Sequence, residues 1–361
     1  MKALVLNEVG RGFDFEEIQI STPIGREVLV DVQASGLCHT DLLFATHEII
    51  PTPAVLGHEV AGIVSRVGRD ITQFRIGDHV VGSLAQCCGV CARCFSGRPF
   101  QCQHPEFTVR SPTDTPRLSR DGVRFFQGFG LGGFAEQALI HENQLALVPK
   151  ELPFAQAALL GCGVVTGAGS VLNTANVGAG DTVVIFGAGG VGLNAISGAR
   201  IAGASKIVVI DIQAKRLEEA QRFGATDVID STRMRPVEAV RDLLPRGADH
   251  VFDFVGAKAV AEQGLAMLDN GGGLYLVGVT KPKVSLDLNI FDAIGGQRHV
   301  HGVNFGSTNA KHDIPMYADL YLQGRMNLDD LVSKRIALRD VNEGYAALND
   351  GSLNRVVVTS F

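Results

Sequence analysis

Cys88-Gly89-Val90-Cys91-Ala92-Arg93-Cys94, with Cys102 eight residues further on, puts four thiol side chains within fifteen residues. Thiolates at these gaps close a tetrahedral shell around a soft divalent cation, and zinc takes such a set. A closed shell has no open position for a substrate. The cluster therefore predicts a structural metal that holds a lobe in place of a hydrophobic core. Cys87 is a further thiol beside the set, and the regular spacing from Cys88 decides which four are expected to bind. Seven cysteines, an odd number with most crowded into one stretch, fit metal binding better than a disulfide framework.

Cys38 and His58 are a second, sparser pair of zinc-type ligands. Two ligands do not make a site; a third is needed, and Cys162 is available.

A different chemistry is written into residues 182–211. The apolar, β-branched run TVVIF (182–186) leads directly into Gly187-Ala188-Gly189-Gly190-Val191-Gly192. Residues 193–202 have the small packing side chains of a helix, and KIVVI (206–210) is a second strand ending at Asp211. In such a β-α-β unit Gly187 permits the tight turn, Gly189 lets the backbone approach a pyrophosphate, and Gly192 lets helix and strand pack closely. Asp211 would accept the ribose hydroxyls, and its charge would repel the 2'-phosphate of NADP, so NAD is the expected cofactor.

These groups need elements to hold them. Residues 1 to about 100 alternate short strand-like runs with Gly and Pro turns and read as mainly β, with Cys38 at the turn into a helix. Residues 105–133 are polar and rich in Pro and Gly, which predicts a long irregular lobe; strand-like alternation returns over 134–148. Gly161-Cys162-Gly163 opens a helix that marks the domain boundary. Beyond Asp211, helices at 214–223, 236–244 and 258–268 alternate with strands at 227–229, 250–254, 274–279 and 300–305. With the first two strands this makes a six-stranded, doubly wound parallel sheet. Helices at 314–323 and 341–349 and a strand at 355–359 are expected to rejoin the first domain.

The totals agree with an α/β protein of two domains: 361 residues, a net charge of −6 and no basic block, which speaks against a nucleic-acid partner. No apolar run approaches the roughly 18 residues of a membrane span, and MKALVL at the start resembles a strand more than a signal peptide, so no membrane partner and a cytoplasmic location are expected.

Taken together, the chain resembles the zinc-dependent alcohol dehydrogenases of the medium-chain dehydrogenase/reductase family over nearly its whole length. Cys-His-Thr-Asp at 38–41, Gly-His-Glu at 57–59, the four-cysteine stretch at 88–102 and Gly-Cys-Gly at 161–163 stand in that family's order. The resemblance implies a GroES-like catalytic domain (1–163) carrying a structural zinc lobe, a Rossmann NAD-binding domain (164–304) and a return to the catalytic domain (305–361), with the active site between the domains. It implies two zinc ions per chain: Cys38, His58 and Cys162 on a catalytic zinc whose fourth position takes water or alcohol, and Cys88, Cys91, Cys94 and Cys102 on the structural one. Asp41 is similar to the carboxylate that orients the histidine ligand, Glu59 to the acid behind the metal, and Thr40 to the hydroxyl that hydrogen-bonds the substrate oxygen. On the cofactor, Gly187, Gly189, Gly190, Gly192 and Asp211 match the dinucleotide positions. Arg216 matches a contact near the adenosine ribose, Thr166 a nicotinamide-side contact, and His39 and Arg355 pyrophosphate contacts.

The implied reaction is hydride transfer between a primary alcohol and NAD, giving an aldehyde, and its reverse. Where liver-type members place a proton-relaying histidine, this chain has Leu43. Some members lacking it act on aromatic or allylic alcohols, and Leu43, Leu84 and Phe129 are candidates for an apolar pocket. A thiol-dependent formaldehyde dehydrogenase, acting on an S-hydroxymethyl adduct, is the alternative within the fold; a non-catalytic zinc redox sensor that binds NAD is the alternative outside it. A homodimer paired through the last sheet strand is the expected assembly.

Overall fold

Glu27–Gly36 is the strand around which the first half of the molecule is built. In this computed structural model, which describes residues 1–281, 283–349 and 353–361, it pairs antiparallel with Glu59–Val67, Gln137–His141 and Arg355–Ser360. Val28, Leu29, Val30 and Val32 are all buried, as a strand covered on both faces requires. The sheet extends through His79–Gly82 to Leu145–Leu147 on one side, and on the other Arg355–Ser360 pairs in parallel with Val332–Ala337. The C-terminal residues therefore complete a sheet begun at the N-terminus. Met1–Cys162 with Asn309–Phe361 form one compact unit and Gly163–Thr308 the other.

Within the first unit the register sets Gly36 opposite Glu59. That single pairing brings the residues just before Cys38 alongside those just after His58, although the two are twenty positions apart.

The stretch 105–133, expected to be irregular, contains a small hairpin (Leu118–Arg120 with Val123–Arg124), a two-residue pairing of Phe126–Gln127 with Ala54–Val55, and single helical turns. It is pinned by charge: Arg110 Nε and Arg117 Nε both donate to Glu27 Oε1 at 2.8 Å, in a buried cluster. Burial opposes the Glu27 charge, but the hydrogen bonds and fields of Arg110 and Arg117 outweigh it and hold the carboxyl below its ordinary range.

The second unit is a sheet of six parallel strands. Their order across the sheet is Asp227–Asp230, Lys206–Asp211, Thr182–Phe186, Ala248–Asp253, Leu268–Leu276 and His299–Gly302. Counted along the chain this is 3-2-1-4-5-6, the dinucleotide-binding order. Val184, Phe186, Val208, Val251 and Leu274 fill the core on one face.

Several boundaries differ from the sequence-based expectation. The helix expected from residue 193 starts at Gly190, because the extended Gly189 caps it and the glycine turn runs straight into its first turn. The strand expected over 274–279 ends at Leu276, where the Val277 and Gly278 N–H groups turn back to the Asp253 carbonyl. The strand expected over 300–305 is His299–Gly302, and the chain then bends at Phe305–Ser307. The helix expected from residue 314 begins at Ala310, where Asp313 accepts from the Asn309 N–H, and it carries Pro315 inside.

Phe154–Thr174 is a helical run of 21 residues, long and apolar enough to cross a membrane; an 18-residue window within it has mean hydropathy 1.5, and 89% of that window is buried within the protein. A count of consecutive apolar residues misses it because Gly, Ser and Thr interrupt the run.

Candidate active site and metal centres

Cys38 occupies the N-cap of the His39–Thr46 helix. His58 follows Gly57, where φ is +89° and a Cβ would come within 2.6 Å of the Phe134 nitrogen, so no side chain fits there, and Glu59 begins the next strand. Cys162 sits in a π-helical turn, Leu160–Val164, an insertion of the kind that redirects a side chain at functional sites. Its neighbour Gly161 lies against the Gly82 carbonyl, where a Cβ would come within 2.2 Å.

The ligand atoms of Cys38, His58, Glu59 and Cys162 all lie within 4.8 Å of one another, and all four residues are buried. His58 Nε2 is 3.2 Å from Cys162 Sγ, and its Nδ1 lies 2.9 Å from Asp41 Oδ2. Asp41 Oδ1 accepts from the Gly57 N–H at 3.1 Å, so the carboxylate fixes both the imidazole ring and the backbone that carries it. Gly36 makes room for Glu59: a Cβ there would meet Oε2 at 2.2 Å. Arg355, buried, places Nη1 3.3 Å from Glu59 Oε1. Its charge faces the metal-ligating cluster.

The donor set asks for a cation. Two thiolates with the carboxylates of Glu59 and Asp41 face the fixed positive charge of Arg355, and His58 must be neutral to ligate. A divalent ion among these atoms brings the cluster close to neutrality, and soft sulfur with imidazole suits zinc. Cys38 is the thiol held below the ordinary range, first by the hydrogen bond from Cys162 and then, against burial, by His58. Burial raises Glu59 to about 7, with Arg355 opposing.

Cys88, Cys91, Cys94 and Cys102 form the second cluster. Cys88 and Cys94 sulfurs are 3.9 Å apart, Cys91 and Cys94 3.5 Å, Cys91 and Cys102 4.0 Å. Those separations exceed a disulfide bond and match the roughly 3.8 Å edge of a tetrahedron with metal–sulfur bonds of about 2.3 Å. Backbone N–H groups of Cys88, Val90, Cys91 and His104 point at the sulfurs at 3.2–3.4 Å, which favours thiolates. Cys87 lies outside this set: its thiol faces the Asn143 carbonyl at 3.7 Å, and burial pushes it up to about 11.

In the second unit Gly187 has φ +91°, open space surrounds the Cβ position of Gly189, and a Cβ on Gly192 would fall 1.9 Å from the Gly187 carbonyl. Gly187 and Gly192 therefore each meet a distinct steric demand of the chain, and Gly189 leaves open space. Gly190 is the first residue of the following helix. Asp211, at the end of its strand, accepts from Ala188 N at 2.8 Å and Gln213 N at 2.9 Å, which ties the acid to the glycine turn. Arg216 lies on the next helix with its Nε buried and without a hydrogen bond among the described residues, and Thr166 is half-buried on Val165–Gly169.

In the first unit His39 is exposed and Thr40 half-buried at the start of the His39–Thr46 helix. His47 is exposed, with Nδ1 against Thr46 Oγ1 at 3.0 Å and the Leu43 carbonyl at 3.3 Å. Sequence reasoning missed two neighbours of the cluster. Phe44 stacks on Phe129 at 5.3 Å, and Phe129 in turn meets the His58 ring edge-on at 5.1 Å. Tyr345 donates its hydroxyl to the Cys38 carbonyl at 3.2 Å across 307 positions of sequence, and no local signal announces it.

A dinucleotide sheet in one unit and a buried thiolate–imidazole cluster in the other define a metal-dependent oxidoreductase. Residues 25–150 match the alcohol dehydrogenase GroES-like domain and residues 190–323 the zinc-binding dehydrogenase domain. The chain is 36% identical to an NDMA-dependent alcohol dehydrogenase of Amycolatopsis methanolica, over 99% of this chain and 98% of that protein. It is 34% identical to a probable S-(hydroxymethyl)glutathione dehydrogenase of Schizosaccharomyces pombe, over 99% and 96%. Among solved structures it resembles a benzyl alcohol dehydrogenase from Acinetobacter calcoaceticus with a TM-score of 0.93 and 33% identity, covering 100% of this chain and 99% of that one. The chain belongs to the zinc-dependent alcohol dehydrogenases of the medium-chain dehydrogenase/reductase family, and is an NAD-dependent zinc enzyme that interconverts alcohols and carbonyl compounds.

Proposed function

We propose that the substrates are primary alcohols with an aromatic or allylic group next to the reacting carbon, oxidised to aldehydes. The observation that carries this is the ring of Phe129 against His58, backed by Phe44. Phe129 has φ +52°, a costly backbone state for an aromatic residue, and Gln144 Nε2 holds it by donating to its carbonyl at 2.8 Å. An aromatic wall fixed beside a metal-ligating imidazole suits a flat, apolar substrate group. Similarity to a benzyl alcohol dehydrogenase supports the same reading.

In this reading Cys38, His58 and Cys162 hold the catalytic zinc, which when bound supplies Lewis acidity that lowers the pKa of the substrate hydroxyl. Thr40 hydrogen-bonds the substrate oxygen, Asp41 keeps His58 in the ligating tautomer, and Glu59 lies behind the site with Arg355 offsetting its charge. The oxidised nicotinamide, when bound, would supply the acceptor for the hydride of the alcohol carbon, and the hydroxyl proton would go to solvent, so that alcohol and NAD balance aldehyde, NADH and a proton. Leu43 takes no part in that proton transfer. Gly187, Gly189, Gly190, Gly192, Asp211, Arg216, Thr166, His39 and Arg355 are assigned to the cofactor, and Cys88, Cys91, Cys94 and Cys102 to a structural zinc. The thiolate ligands fit a reducing, cytoplasmic compartment.

The test is a panel of alcohols assayed for NADH formation, with and without an external electron acceptor. Benzyl and cinnamyl alcohol should exceed ethanol in kcat/KM by about tenfold or more, and Phe129→Ala should erase most of that margin. Equal use of ethanol and benzyl alcohol would refute the aromatic assignment, and activity on formaldehyde only when glutathione or mycothiol is added would favour the thiol-adduct alternative.

Two further expectations arise here. Asp211→Gly should narrow the preference for NAD over NADP by on the order of tenfold, since it removes the charge that repels the 2'-phosphate. It also leaves the Ala188 and Gln213 N–H groups without their acceptor, so Asp211→Asn is the milder control. Equal use of both cofactors by the unaltered enzyme would contradict the assignment.

The assembly we propose is a homodimer through His299–Gly302. Among the described residues this strand ends the sheet with an unpaired, exposed edge, and Ile290, Ile294 and Phe291 (83% exposed) stand on the short helix that precedes it. Light scattering at micromolar concentration should give twice the chain mass, and Phe291→Asp should lower it; a monomeric wild type would refute the pairing.

A further inference from the structure

The first turn of the His39–Thr46 helix carries more of the catalytic cluster than its one cysteine. Cys38 is the N-cap, and its carbonyl accepts from Asp41 N at 3.1 Å and Leu42 N at 3.4 Å. Asp41, one turn on, reaches His58 Nδ1 at 2.9 Å. One rigid turn therefore sets the direction of a thiolate and, through Asp41, of an imidazole. Any group that fixes this turn fixes two of the three zinc-binding side chains.

The C-terminal return grips the turn at adjoining points. Leu37 N donates to the Val356 carbonyl at 2.9 Å. Gly344, on the Val341–Asn349 helix, brings that helix so close to Leu37 that a Cβ would lie 2.8 Å from Leu37 Cδ2. Tyr345, next along the same helix, is buried and donates its hydroxyl to the Cys38 carbonyl at 3.2 Å. Its ring is held independently, stacked on Phe13 at 6.1 Å and edge-on to Phe134 at 6.4 Å. The ring thus has its own apolar support, and the hydroxyl is free to serve the carbonyl.

We propose that Tyr345 is a positioning residue for the catalytic zinc: its hydroxyl holds the Cys38 carbonyl, so that a C-terminal helix sets the geometry of the Cys38–Asp41 turn and the retention of the metal. The inference rests on the reading of Cys38, His58 and Cys162 as ligands. Tyr345 touches neither substrate nor cofactor in this role, and it acts only through the backbone of Cys38. Supporting groups of this kind change metal retention even though they never contact the ion.

Tyr345→Phe isolates the effect, because it keeps the ring and its contacts with Phe13 and Phe134 and removes only the donor. The experiment follows the transfer of both zinc ions from the intact enzyme to a chromogenic chelator. The faster-released, catalytic zinc should leave about threefold to tenfold sooner than in wild type, the range that loss of one buried hydrogen bond supports. The slower zinc of the four-thiolate site should leave at its wild-type rate. With cobalt placed in the catalytic site, the thiolate-to-metal charge-transfer band should shift in the variant. Unchanged release rates with an unchanged band would overturn the proposal. So would equal acceleration of both metals together with a lower melting temperature, which would make the hydroxyl a general stabiliser. Cys38→Ala is run beside it: two zinc ions retained in that protein would refute the ligand assignment itself, whatever Tyr345→Phe does.

Discussion

Cys162→Ala is expected to leave one zinc per chain and no measurable alcohol oxidation. Cys162 Sγ lies 3.2 Å from His58 Nε2 in a buried cluster of four ligand atoms, and without it the site keeps one thiolate, one imidazole and a carboxylate already facing Arg355. That set offers a soft cation too little charge and too few sulfurs to hold it against solvent. Loss of Lewis-acid assistance, several kcal/mol, corresponds to a fall in turnover of roughly a thousandfold or more. The four-cysteine cluster shares no residue with this site, so its zinc should remain. NAD binding is expected to survive, since the glycine turn and Asp211 belong to the other compact unit. Metal analysis, NADH formation and NAD titration on one preparation check all three outcomes. A variant that keeps two zinc ions, or keeps its activity, would overturn the assignment of Cys162.

What could be read in the sequence was what lies close together along the chain. Cys88 to Cys102 and Gly187 to Asp211 each fit inside one local motif, and the spacing alone states the geometry: a closed tetrahedron in one, a phosphate turn in the other. The meeting of Cys38, His58 and Cys162 depends instead on the Gly36–Glu59 register and on a π-helical turn, and neither leaves a periodic signal. Only the resemblance to a family could bring those three together in advance. Arg355 was legible as a charged residue at the start of the last strand, but its burial against Glu59 follows from how that strand pairs with Glu27–Gly36. Phe129 was legible as a candidate for an apolar pocket but not as a neighbour of His58, and Phe44 and Tyr345 were invisible for the same reason. An aromatic residue on an ordinary helix or loop becomes part of a site only when a distant segment folds over it. Glu27 with Arg110 and Arg117 shows what composition leaves out: a stretch that reads as a long irregular lobe is fixed by one buried carboxylate outside it.

The second large effect is expected from Cys94→Ala, and it falls on structure before chemistry. Residues 88–102 have almost no apolar core of their own: Cys88 and Cys91 are buried, whereas Phe95 is 77% exposed and Val90 55% exposed. Their secondary structure amounts to a four-residue helix at Ala92–Phe95 and a single turn at Pro99–Gln101, each too short to be stable alone. What remains to hold the lobe is the sulfur cluster and the N–H groups directed at it. The Cys94 sulfur lies 3.5 Å from that of Cys91 and 3.9 Å from that of Cys88. With alanine there, three sulfurs should release the zinc at neutral pH, and with it the binding energy that substitutes for a core. The expected product keeps one zinc, the catalytic one, and is cut by a protease within 88–102 under conditions that leave the wild type intact. Cys87→Ala, one residue outside the cluster with its thiol on the Asn143 carbonyl, should change neither the zinc content nor the cleavage. Retention of two zinc ions by Cys94→Ala, or loss of one by Cys87→Ala, would mean that a different set of four sulfurs holds the metal.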